Sequence, residues 1–152
     1  MKESKLIRII RRFDKTEQKA FDKFIRSPFF YEGRRAEEMV LLFRLIIKAA
    51  PDYPANKLDR EYLYRKLYPG KPSVKGKLEK LASELTKLAQ NFIAVQYSDE
   101  FNDPDLRMLT QAKFFREKGM EQQFQKNINQ IEQSLANKLV QDKTFFYHKY
   151  LL

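Results

Sequence analysis

One stretch of the chain, residues 73–97, constrains the fold more than any other. Its apolar residues recur at alternating steps of four and three, the spacing that places side chains on one stripe of an α-helix. A helix of this length rises roughly 37 Å, so we expect it to be the long central helix of a bundle. The stripe consists of Val74, Leu78, Leu81, Leu85, Leu88, Phe92 and Val95.

The remaining sequence also favours helices. Only four residues are glycine, and 43% are apolar while 33% are charged, which is typical of a folded protein. Residues 36–50 form an apolar helical pattern, and Asp103 followed by Pro104 is a strong start signal for the first helix of a C-terminal hairpin. We therefore predict an all-α bundle of about six to eight helices, with helix 36–50 packed against helix 73–97.

The excess of positive over negative charge lies in the first 87 residues. Residues 1–87 contain 22 basic and 12 acidic residues, whereas residues 88–152 contain eight of each. We expect a single domain, 1–152, with a basic helical core at 1–97 and a neutral helical hairpin at 98–152. An acidic partner should meet the basic part.

The C-terminal segment from Thr144 begins an apolar pattern that stops at Leu152 without a capping residue. This pattern fits either a docked terminal helix or the N-terminal part of a longer protein. If the chain is an interaction domain of a longer protein, we expect the C-terminal hairpin and the last helix to form its docking region.

The composition limits the cellular compartment that we expect for the protein and the kinds of active site that it can form. The chain has no cysteine, so a disulfide framework, a thiol nucleophile and a cysteine-ligated metal are excluded. Its most apolar segment, residues 39–47, contains Arg44 and is far shorter than the ~20 residues that span a membrane. We expect a cytoplasmic protein with no membrane span and no cofactor.

Catalytic motifs are absent from the sequence. His148 is the only histidine, and we expect it to be an ordinary helix residue because no serine lies in a G-x-S-x-G motif. Gly70 and Lys71 are followed by proline instead of the serine or threonine of a phosphate-binding loop. We predict no catalytic and no cofactor-binding residue, and hence a protein that is not an enzyme.

Three acidic residues resemble part of a calcium loop without completing it. Asp99, Asp103 and Asp105 have a suggestive spacing, but Phe101 and Pro104 stand where a ligand and the obligatory glycine belong. We interpret them as a solvated acidic loop and predict no metal site.

Residues 57–87 suggest a nucleic-acid interface. Helix 61–68, a Pro-Gly turn and the start of the long helix form a helix–turn–helix-like unit, in which Ser73 to Lys77 could offer a helix N-terminus to phosphate. The turn is longer than usual, and the second helix carries a heptad stripe instead of base-reading side chains. The basic residues of this segment are Arg60, Arg65, Lys66, Lys71, Lys75 and Lys77.

Two segments carry a family resemblance. Arg26-Ser27-Pro28-Phe29-Phe30-Tyr31, followed by Arg65-Lys66-Leu67-Tyr68-Pro69-Gly70-Lys71-Pro72, resembles an uncharacterised family of helical bacterial proteins across residues 13–97. The resemblance implies an all-α fold and no particular activity.

The function that best fits these observations is a non-enzymatic helical protein-interaction or scaffold domain with an unknown protein partner. The alternative is a nucleic-acid-binding module that uses residues 57–87. The positions that flank the heptad stripe show no charge pattern for pairing between chains, so we favour a monomer.

Overall fold

The computed structural model describes residues 4–98, 102–137 and 143–151. In these ranges the chain contains eight α-helices, one short 3-10 helix at Ala55–Lys57 and no strand. The prediction of an all-α fold is confirmed. The helices are α1 (Lys5–Ile10), α2 (Lys15–Ile25), α3 (Arg34–Ile47), α4 (Arg60–Leu67), α5 (Lys77–Gln96), α6 (Pro104–Glu117), α7 (Glu121–Ala136) and α8 (Lys143–Leu151).

Aspartate side chains cap the first turns of α2, α4 and α6. Oδ1 of Asp14 accepts hydrogen bonds from the backbone N–H groups of Thr16 and Glu17, and the side chain of Glu17 accepts one in return from the N–H of Asp14. This reciprocal arrangement satisfies donors that have no partner within the helix. Asp59 and Asp103 cap α4 and α6 by accepting from the N–H groups two and three residues beyond them.

The chain divides into two compact units, residues 1–93 and residues 94–152. The boundary falls near the end of α5, close to residue 97, where we expect the basic core to end and the neutral hairpin to begin. That residues 1–152 form a single domain stays a prediction.

The core of the first unit is built by α1 to α5 around a cluster of phenylalanine rings. The ring centroid of Phe21 lies 5.1 Å from that of Phe43 and 5.3 Å from that of Phe92, distances at which aromatic pairs attract each other. Because these rings belong to α2, α3 and α5, the cluster joins the three longest helices of the unit. Three residues of α1 are also buried in this core, namely Leu6, Ile7 and Ile10.

Helix α5 confirms the heptad stripe but is shorter than the predicted helix 73–97. The helix begins at Lys77 because Gly76 has a φ of +80°, a left-handed conformation that an α-helix does not contain. Val74 therefore lies outside the helix and is exposed, and Val95 is exposed near the other end. The buried part of the stripe consists of Leu78, Leu81, Leu85, Leu88 and Phe92.

The second unit is built on helices α6 and α7. These helices are consecutive in the chain and are joined by a short connection that contains Gly119. Asn127 of α7 donates hydrogen bonds from Nδ2 to the carbonyl oxygen of Met108 and to Oε1 of Gln111, both in α6. A small apolar cluster consists of Ile131, Leu135 and Phe145, with Met108 and Leu109 packed against it. Among the helices described in either unit, none has the length and apolar character needed to cross a membrane.

Candidate functional site

The basic segment at 57–87 consists of α4, the connection at residues 68–76 and the first half of α5. The hydroxyl of Tyr64 fixes this connection, because it donates to the carbonyl oxygen of Pro72 and accepts from the N–H of Val74. The prediction that Ser73 to Lys77 form a helix N-terminus is wrong, since α5 begins only at Lys77. The phosphate site that depends on this N-terminus is not formed at these residues.

The six basic residues predicted for nucleic acid differ in their surroundings. Arg60 forms an ion pair with Glu79, with 2.9 Å between Nε and Oε1. Nζ of Lys66 lies 5.8 Å from the ring centroid of Tyr62, and Nζ of Lys77 lies 3.7 Å from that of Tyr68. The other three are exposed and form no ion pair with any residue that the structure describes; they are Arg65, Lys71 and Lys75.

A second basic surface lies in the first unit, in a groove of about 480 Å³ between α2 and α3. Lys15, Lys19 and Lys23 follow one another at every fourth position of α2, so they share one face of the helix and rise ~6 Å per step. All three are exposed, and no ion pair among the described residues uses them. The groove is completed by Gln18, Asp22, Phe43, Arg44 and Ile47.

The carboxylate of Asp22, which lines the groove, forms ion pairs with two arginines. Asp22 accepts from Nε of Arg26 at 2.8 Å and from Nε of Arg44 at 3.2 Å. Partial burial of the carboxyl acts to raise its pKa, but the hydrogen bonds from the two arginines prevail and lower the pKa of Asp22. The ion pairs that the structure describes for Asp22 are therefore with the two arginines and not with the three lysines.

The sequence indicates only the α2 side of this groove. The spacing of Lys15, Lys19 and Lys23 is visible in the sequence, but no motif assigns these lysines to a site. The pairing of α2 with α3, which brings Arg44 and Ile47 into the same groove, depends on tertiary packing that the spacing does not encode.

The second unit contains a buried cluster of three ionisable side chains. The ring of His148 in α8 is 0% exposed, and it lies between the carboxylates of Asp103 and Asp105 at the start of α6. Nε2 of His148 is 3.3 Å from Oδ2 of Asp103, and Nδ1 is 3.6 Å from Oδ2 of Asp105. Neither ring nitrogen makes a hydrogen bond within the described residues.

Sequence reasoning does not find this cluster. His148 lies in a helix as expected, but its burial between two carboxylates is not predicted, because the histidine and the aspartates lie far apart in the sequence. The interpretation as a solvated loop is wrong for Asp105, which is only 4% exposed. Asp99, the third member of the rejected calcium pattern, lies outside the described residues.

Helix α8 exposes four large apolar side chains, Phe146, Tyr147, Tyr150 and Leu151. They belong to the segment expected to form a docking region. That role stays a prediction, since nothing in the described part of the second unit indicates what would cover them.

Comparisons with known proteins returned no relative. No protein-family model matches the sequence, and neither the curated proteins nor the solved structures contain a match. The resemblance to a family of helical bacterial proteins stays a prediction.

Proposed function

We propose that this chain is a non-enzymatic protein-interaction domain that binds an acidic amphipathic helix in the groove between α2 and α3. The observation that carries the proposal is the row of lysines at positions 15, 19 and 23, which lines the groove without carboxylate partners among the described residues. A row of like charges at this spacing is destabilising within a helix, and an acidic partner would relieve that repulsion.

The spacing of the lysines defines the partner. An α-helix in the groove that carries glutamate or aspartate at every fourth position would repeat the same ~6 Å rise. Its apolar face would contact Ile47 and the aliphatic stems of the lysines. Charge complementarity of this kind steers association and fixes the register of the partner.

Binding of nucleic acid through residues 57–87 is the alternative. It is favoured by Arg65, Lys71 and Lys75, which are exposed and form no ion pair within the described part of the chain. Phosphate contacts require only cations and no apolar surface. We favour the acidic helix because the groove offers both cations and apolar side chains.

Fluorescence anisotropy tests the proposal directly. The probe is a labelled synthetic helix with glutamate at every fourth position and leucines on its adjoining face, and the competitor is a scrambled peptide of the same composition. A single-stranded RNA is titrated in parallel, at about 50 mM and about 200 mM salt. We expect the patterned helix to bind more tightly than both.

A matched pair of double variants distinguishes an effect of the groove on binding from an effect of the net charge. Lys19→Glu with Lys23→Glu should weaken binding of the patterned helix by about 10-fold. Lys80→Glu with Lys87→Glu changes the net charge equally at exposed positions of α5 that do not line the groove, and should leave binding unchanged. Equal losses in the two double variants would overturn the proposal.

The RNA titration gives the second decisive outcome. RNA that binds more tightly than the patterned helix, and that loses affinity when Arg65, Lys71 and Lys75 are replaced by glutamate, would transfer the function to the basic segment at 57–87. RNA binding that does not exceed that of the scrambled peptide would exclude the alternative.

A further inference from the structure

We infer that Asp103, Asp105 and His148 form a binding site for a divalent cation of the first transition row, independently of the proposed interaction groove. One ligand atom from each residue can be chosen so that all three lie within 4.8 Å of one another. The histidine gives the second observation, because its buried ring points into the acidic pair and makes no hydrogen bond within the described residues.

The charges around the histidine favour an additional positive group. A neutral imidazole has one N–H group and one lone pair, so a neutral His148 between two carboxylates directs its lone pair at one of them. Water does little to screen that repulsion around a fully buried ring. A cation bound between the ring and the carboxylates would remove this repulsion.

The distances fit a bound cation better than direct hydrogen bonds between the ring and the carboxylates. A charge-assisted N–H to carboxylate hydrogen bond measures about 2.7–2.9 Å, whereas the two nitrogen–oxygen separations here are 3.3 and 3.6 Å. Two ligands bound to one ion at about 2.1 Å each lie roughly 3.0–3.4 Å apart. The separation between Nε2 of His148 and Oδ2 of Asp103 is within that range.

The two oxygens of Asp103 have separate roles. Oδ1 accepts from the N–H groups of Asp105 and Leu106 and so caps α6, while Oδ2 faces the imidazole. The cap holds the carboxylate in place. The side chain of Asp103 is 22% exposed, which gives an ion access to the site and to water ligands.

The ligand types indicate the class of ion. Imidazole nitrogen suits Zn²⁺ and its neighbours in the first transition row, whereas Mg²⁺ prefers oxygen ligands throughout. Asp105, on the Nδ1 side of the ring, would either bind the ion through a carboxylate oxygen or orient the imidazole, as carboxylates commonly do beside a metal-bound histidine.

His148 provides its own spectroscopic probe, because it is the only histidine in the chain. The full chain, purified without a histidine tag and stripped of metal, is titrated with Zn²⁺ alone while the two ring nitrogens are followed by ¹H–¹⁵N NMR. We expect a shift of the ring nitrogens that saturates at one equivalent, and no shift with Mg²⁺. Ring nitrogens that do not respond to excess Zn²⁺ would overturn the inference.

A pair of isosteric variants tests the ligand set by calorimetry. Asp103→Asn keeps an oxygen that can cap α6 but loses the charge. It should weaken Zn²⁺ binding by at least about 10-fold, because replacing even an outer partner of a metal ligand typically costs about 10- to 100-fold. Asp59→Asn makes the same change at the cap of α4 in the first unit, and should bind Zn²⁺ as the unmodified protein does. Equal affinity in all three proteins would contradict the assignment.

Discussion

The hydroxyl of Tyr68 donates a hydrogen bond to Oε2 of Glu38 over 3.0 Å, and this bond joins the end of α4 to α3. The tyrosine is buried. Burial of the ring, together with the hydrogen bond to Glu38, raises the pKa of Tyr68 from 10.0 to about 12. The neutral phenol is therefore favoured in the folded state.

This shift predicts a loss of stability in alkali. Because the pKa is higher in the folded than in the unfolded chain, the stabilisation is complete below the unfolded pKa of 10.0 and is lost as the pH rises through about 12. Denaturant unfolding of Tyr68→Phe should lose less stability across this window than the unmodified protein. Tyr150→Phe, at an 86% exposed position, should follow the unmodified protein; identical pH profiles for all three would contradict the prediction.

Substitutions in the middle and at the end of the heptad stripe should differ in their effect on the free energy of unfolding. Leu85 is fully buried, whereas Val74 is exposed. Leu85→Ala should lower the free energy of unfolding by ~2–5 kcal/mol, because it leaves a cavity in the core. Val74→Ala should change it by less than ~0.5 kcal/mol. A denaturant midpoint for Leu85→Ala equal to that of the unmodified protein would show that the stripe is not buried.

The ion pairs of the first unit should differ in their contribution to stability according to their exposure. Nε of Arg35 lies 2.8 Å from Oε2 of Glu84, and this pair joins α3 to α5 with side chains 27% and 19% exposed. Glu84→Gln should cost about 1 kcal/mol of stability. Glu79→Gln, which removes the more exposed pair with Arg60, should cost less than ~0.5 kcal/mol. Thermal unfolding of both variants measures the difference, and a larger loss for Glu79→Gln would refute it.

The side-chain amide of Asn127 should contribute to the stability of the second unit through its hydrogen bonds. Its amide bonds to Met108 and Gln111 join α7 to α6, so Asn127→Ala should lower stability by about 1–2 kcal/mol. Gln125→Ala removes only an exposed bond within α7 and should lie within ~0.5 kcal/mol of the unmodified protein. Circular dichroism during urea unfolding checks both variants, and equal midpoints would exclude the role given to Asn127.

Local features of the fold can be predicted from the sequence because they depend on short spacings. The stripe from Leu78 to Phe92 and the start of α6 after Asp103 follow from periodicity and capping chemistry. Periodicity misplaces the beginning of α5, because the apolar pattern continues through Val74 whereas the φ of Gly76 interrupts the helix.

Both candidate sites depend on pairs of helices, and this is why the sequence does not reveal them. The lysine row of α2 becomes a groove only when α3 lies beside it. His148 meets Asp103 only after α8 has packed in the second unit. Residue spacing within one helix carries no information about either contact.

Asp103 links the chemistry of the buried cluster to the backbone of α6. One carboxylate oxygen accepts from the N–H groups of Asp105 and Leu106 while the other faces His148, so whatever immobilises this side chain also restrains the first turn. Hydrogen–deuterium exchange at these two amides would therefore slow when a ligand binds to the cluster. The rate at which the first turn of α6 opens would then measure ligand binding.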